Sequence, residues 1–83
     1  MGTVAISIKI TPESPEVDIE NIKKKILSDM VVKDLKIEPI AFGLKAIKIL
    51  IVKNDTGGTD DVEEKIRGID GVGSVEVESV TLL

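Results

Sequence analysis

Four times along this chain the spacing of the apolar residues switches between every second position and every third or fourth. The run Thr3–Ile10, TVAISIKI, alternates strictly, with Val4, Ile6, Ile8 and Ile10 on one side and Thr3, Ala5, Ser7 and Lys9 on the other. A period of two is that of a strand with one buried face. Ile19, Ile22, Ile26 and Met30 then follow helical spacing, with Leu27 at the edge of the stripe. In KDLKIEP, Leu35 and Ile37 alternate with charge, and FGLKAIKILIVK is apolar on both parities, as a central strand would be. Val62, Ile66 and Ile69 restore the helical period, and Val75 and Val77 alternate with Glu76 and Glu78 in a last strand. The order is strand, helix, strand, strand, helix, strand. Right-handed crossovers then place both helices on one face of a four-stranded antiparallel sheet, an α+β, ferredoxin-like βαββαβ sandwich. Its other face is left for solvent or a partner.

The breaks between these segments have local causes. Pro12 and Pro15 cannot donate to a ladder and end the first strand. Ser14 and Asp18 are both N-cap residue types, and the helix is expected to start near Asp18. Pro39 puts its strand at a sheet edge or marks its end. NDTGG is a turn by composition. Asp60 and Glu63 stand at capping-box spacing, with Thr59 as the alternative cap, and Gly68 and Gly71 can end the second helix.

A chain of 83 residues fits one domain spanning 1–83. So small a domain buries only about 60–65% of its unfolded surface, so its core must be dense. Cys and His are both absent. That excludes disulfides, thiol redox chemistry, Cys or His zinc sites and Ser-His-Asp triads. General acid–base chemistry would need a strongly shifted carboxylate or lysine, so no catalytic residue, metal or cofactor is expected. The net charge of −4 attracts neither phosphate backbones nor anionic membranes. No apolar run approaches the roughly 20 residues that span a bilayer, and the N-terminus lacks the basic segment and cleavage site of a signal peptide. The expectation is a cytoplasmic protein with no membrane or direct nucleic-acid contact.

Few residues invite a functional reading. Lys23, Lys24 and Lys25 suit a solvated helix face near the C-terminal half, where the dipole favours cations. Gly57 and Gly58 precede a helix, as in an anion site, yet Asp60, Asp61, Glu63 and Glu64 follow them and would repel phosphate. Those acids with Asp55 lack EF-hand spacing, and a glycine turn before an acid-capped helix is the simpler account. The strands carry no aromatic at a base-stacking position, which argues against RNA binding. A small-molecule-sensing or scaffold role of the same fold stays open as the alternative, although nothing marks a pocket. Phe42 is the only aromatic residue. It is either a core phenylalanine at a strand start or an exposed anchor, and the neighbouring Pro39 and Gly43 suit a stiff loop that backbone can approach.

The segments KITPESPEVDIENIKKKI, IEPIAFGLKAIKILIV and GIDGVGSVEVESV resemble the elongation factor 1-beta family, its archaeal members and the C-terminal exchange domain of the eukaryotic ones. The resemblance covers nearly the whole chain, and PIAFGLKAI is its most specific piece. It implies guanine-nucleotide exchange on the GTPase elongation factor 1-alpha by protein–protein contact near the nucleotide, and a free protein that is monomeric. The family's FG phenylalanine touches the GTPase, a role that falls on Phe42, flanked by Pro39, Ile40, Ala41 and Gly43. Eukaryotic members carry a penultimate lysine that reaches the GTPase's magnesium site; here that position is Leu82. The magnesium step is then indirect or falls to another basic residue, for which Lys45 is a candidate.

Overall fold

The computed structural model describes residues 2–54 and 60–83, the side chains of Phe42, Asp60 and Asp61 lying outside that description. Seven elements follow in order: β1 (Val4–Pro12), α1 (Ile19–Asp29), β2 (Asp34–Pro39), a 3₁₀ turn (Ala41–Gly43), β3 (Lys45–Lys53), α2 (Asp60–Arg67) and β4 (Val72–Leu82). The strands form one antiparallel sheet in the order β2-β3-β1-β4. This is the ferredoxin-like arrangement that the four changes of period predict.

Aliphatic side chains from one face of the sheet and both helices make the core. Ile6, Ile8 and Ile10 of β1 alternate inward and meet Ile47, Ile49 and Ile51 of β3. Ile22 and Ile26 of α1 and Val62 and Ile66 of α2 close over them. Leu27, at the edge of the α1 stripe, stays exposed. The Asp18 carboxylate caps α1 by accepting from the Glu20 N–H at 3.0 Å, which fixes the start where the sequence suggests it. The core-facing Ile6, Ile8 and Ile10 of β1 and Ile47, Ile49 and Ile51 of β3 are β-branched, which suits a pleated surface.

Three expectations change in detail. FGLKAIKILIVK does not begin its strand at Phe42, because Gly43 takes φ +77 and the backbone turns as a single 3₁₀ turn before β3 starts at Lys45. Asp60 is already helical, so it is not the N-cap of α2; the alternative, Thr59, lies outside the described residues. The last strand is not one regular alternation. Its pairing with β1 shifts between Ser7/Ile8 and between Thr11/Pro12. Glu78 and Gly73 are the extra residues of these two β-bulges.

The second sheet face carries no helix. Near its middle, Lys48 Nζ lies 3.1 Å from Glu38 Oε2 and 3.7 Å from Glu78 Oε1, so one ammonium links carboxylates of β2 and β4 across two strands. Glu78 reaches this position from its bulge.

Candidate functional site

The hairpin β2–β3 gathers the residues that the sequence singles out. Pro39 pairs with Lys45 as the last rung of the β2–β3 ladder. Beyond it the Ile40 N–H donates to the Leu44 carbonyl at 2.8 Å, and the Leu44 N–H donates back to the Ala41 carbonyl at 3.3 Å. These two bonds close the tip without using a side chain. Gly43 supplies the left-handed residue, and a Cβ built there would meet nothing within 4 Å. The structure therefore brings Pro39, Ile40, Ala41, Phe42, Gly43 and Lys45 together on one short, hydrogen-bonded loop. Ala41, Gly43 and Lys45 are exposed there, and Ile40 is half-buried. The direction of the Phe42 side chain, which would separate anchor from core residue, lies outside the described part.

Register fixes what stands near the tip. β1 runs from a level beside Lys53 and Leu82 at its start to a level beside Ile47 and Val72 at its end. The tip, the β1–α1 loop and the α2–β4 turn thus share one end of the sheet. The loop is held close by the Glu13 N–H, which donates to the Gly71 carbonyl at 2.8 Å. Gly71, at φ +93, leaves room for Val17, whose Cγ1 would lie 2.6 Å from a Cβ at that position. Gly73 gives the same room to backbone: a Cβ there would fall 2.9 Å from Glu13 Cα and from the Pro12 carbonyl oxygen.

Leu82 is at the opposite end, paired with Val4, and its side chain is 70% exposed. Lys45 and Leu82 are separated by the eight steps of β3, roughly 25 Å at strand rise. Lys45 therefore does not stand in the place of Leu82. Of the acidic positions near a candidate cation, Asp55 and the side chains of Asp60 and Asp61 lie outside the described residues. Among the described residues no group of three acidic side chains could hold a metal ion, and no helix is long and apolar enough to cross a membrane.

A family model described as the EF-1 guanine nucleotide exchange domain matches residues 5–83. The chain belongs to this exchange-domain family. As a member of the EF-1 exchange-domain family it is 44% identical over 84 residues to an elongation factor 1-beta of Methanosphaerula palustris, covering 99% of each chain. It is 46% identical over 84 residues to the protein of that name in Methanoculleus marisnigri, covering the whole of both. A third, from Aeropyrum pernix, is 42% identical over 87 residues and covers 98% and 97% of the two chains. Among solved structures, the ACT domain of a GTP pyrophosphokinase from Chlorobium tepidum superposes with a TM-score of 0.73 at 19% identity, over 93% of this chain and 88% of the other. That likeness concerns the fold alone, so the exchange-domain family is what bears on function.

Sequence reasoning misses the β1–α1 loop as a neighbour of the tip. Pro12 and Pro15 signal a break in the strand, but no local signal says which other loop the break meets. The outer-face pairing of Lys48 is missed for the same reason.

Proposed function

We propose that this chain is a guanine-nucleotide exchange factor for elongation factor 1-alpha, promoting GDP release and GTP loading by contact at the GTPase's nucleotide and switch region. The observation that carries this reading is the match of the exchange-domain family to residues 5–83, joined by the elongation factor 1-beta relatives along the full chain. Phe42 is the wedge, and Pro39, Ile40, Ala41, Gly43 and Lys45 are its platform. The closed, hydrogen-bonded tip supports this assignment, because a preorganised loop loses little freedom when it binds.

Exchange needs no bond-making side chain. A factor that binds the nucleotide-free GTPase more tightly than the loaded one weakens nucleotide binding by the same ratio. A ratio of about 10³ takes only about 4 kcal/mol of differential contact, within the reach of a few anchors. Distortion of a switch element by a rigid wedge is a sufficient device. Direct nucleic-acid contact has no part in this reading, given the −4 charge and strands without aromatics.

The test is release of a fluorescent GDP analogue from an archaeal elongation factor 1-alpha with magnesium present. Wild-type protein accelerates release, and Phe42→Ala loses most of the acceleration while melting as a folded protein. No acceleration by the wild type would overturn the exchange reading. Acceleration retained by the variant would keep the function and remove Phe42 from it.

A further inference from the structure

We infer that Lys48 is a positioning residue for the hairpin tip: through Glu38 and Glu78 it sets the angle at which the proposed wedge and platform leave the sheet. This rests on the exchange reading and adds a group outside the platform. The ladders explain why the tip needs a brace. β1 pairs with β3 only as far as Ile10 and Ile47. Two further rungs, Glu38 with Ala46 and Pro39 with Lys45, belong to the β2–β3 ladder beyond that level. The hairpin therefore overhangs the sheet as a two-stranded ribbon that ends in the tip. The bonds that close the tip, between Ile40 and Leu44 and between Leu44 and Ala41, are internal to it. They fix its shape and leave its direction to the ribbon. A two-stranded ribbon takes a wider range of twist than a broad sheet and has little stability of its own.

Lys48 crosses the level at which the overhang begins. Its backbone stands inside the sheet, between Lys36 of β2 and Lys9 of β1, and Lys9 faces Glu76 of β4 on its other side. The ammonium lies 3.1 Å from Glu38, on the first overhanging rung, and 3.7 Å from Glu78 of β4. Glu38 directly precedes Pro39, where the platform starts. In the order β2-β3-β1-β4 the two carboxylates come from the two edge strands. One ammonium thus ties the base of the overhang to the opposite edge of the sheet. Like charges directly opposite each other disfavour pairing, and the row Lys36, Lys48 and Lys9 is such an arrangement. Glu38 and Glu78 offset it at Lys48. An ion pair this exposed adds little to global stability. At the root of a ribbon, however, a small restraint on twist becomes a larger displacement at the far end.

The test reads exchange and tip order in the same variants. GDP-analogue release is measured over a series of exchange-factor concentrations for wild type, Lys48→Met, Lys48→Arg, Glu38→Ala, Lys36→Met and the double variant Glu38→Ala/Lys48→Met. Backbone order parameters of residues 40–44 are measured in the free protein by NMR relaxation. The wedge does its work only as the switch element gives way, so losing its aim lowers the plateau rate and leaves half-saturation nearly unchanged. Lys48→Met and Glu38→Ala should each lower the plateau by about fivefold. The double variant should fall no further than Lys48→Met, because both changes remove one bridge. Lys48→Arg keeps a cation between the carboxylates and should stay near wild type, as should Lys36→Met, which lies directly opposite without bridging them. Order at residues 40–44 should fall in Lys48→Met and hold in Lys48→Arg. The Glu38 side chain is 52% exposed, so Glu38→Ala stands as a test even if Lys48→Met folds poorly. A plateau unchanged in folded Lys48→Met, or in Glu38→Ala, overturns the positioning role while wild-type exchange stands. A lower plateau with tip order unchanged also overturns it, since Lys48 would then act on the GTPase directly. A wild type that does not accelerate release overturns the exchange reading and the positioning role with it.

Discussion

Gly43, in the hairpin tip, and Gly73, in β4, answer to different forces. At Gly43 the backbone has φ +77 with open space around a built Cβ, so alanine meets only the torsional penalty of a left-handed residue, about 1–2 kcal/mol. At Gly73 the added carbon presses on Glu13 Cα and the Pro12 carbonyl, which are backbone atoms with no flexible end to move. Overpacking of that kind costs about 1–3 kcal/mol, and here it also loosens the clamp on the β1–α1 loop. In thermal unfolding, Gly73→Ala should lower Tm at least as far as Gly43→Ala, and only Gly73→Ala should open the Glu13 amide to hydrogen exchange. The first glycine's role is legible, since Gly43 follows the lone aromatic in a loop. The second's is not, because the atoms that exclude a side chain at 73 belong to residues about sixty positions earlier.

The sheet shows the same division between local and distant causes. Strict alternation in TVAISIKI suffices to place β1 and its buried face. In β4 the parity of the residues paired with the inward side of β1 changes from Val72 to Val75 and again from Val77 to Val80, which is itself over half exposed, and each change coincides with a bulge, at Gly73 and at Glu78. That signal is present in the sequence and is easily read as irregular composition. The second bulge lets Glu78 join Glu38 around Lys48. The hydrogen bond and charge of Glu38, with the charge of Glu78, raise the Lys48 pKa above its ordinary value of 10.5. A folded pKa above the unfolded one means that the stabilisation is whole below the ordinary lysine value and is lost as pH rises through the folded value. The Tm difference between wild type and Lys48→Met should therefore be present at neutral pH and fade in alkali above that range. The Lys48 side chain is one-third exposed, so about 1 M salt should shrink the difference as well. A difference that survives both treatments would assign the effect to packing of the lysine stem.

For the whole molecule, stability rests on isoleucine. The fully buried side chains include Ile8, Ile10, Ile22, Ile26, Ile47 and Ile66, with no buried polar side chain among the described residues. Replacing Ile8 by alanine should cost about 2–5 kcal/mol, a large share of the roughly 5–15 kcal/mol that holds a small domain folded. Leu82→Ala, on an exposed side chain, should stay within about 0.5 kcal/mol. Urea unfolding with a common m-value would read both. The layered fold is legible at this scale because two periods repeated in order leave few topologies. The tip is legible as a segment, whereas its neighbours depend on the sheet's register, which joins residues 12–19 to 43–45 only after the strands pair.

The placement of Leu83 adds a practical consequence. Its N–H donates to the Thr3 carbonyl at 2.8 Å, at the pole away from the hairpin, in a body 42 Å long and about half as wide. The C-terminus and the proposed contact surface thus lie at opposite poles. A dye or surface linker joined after Leu83 would be carried on the far side of a stiff sheet, and a chip coated through that linker would present every hairpin tip to the solution.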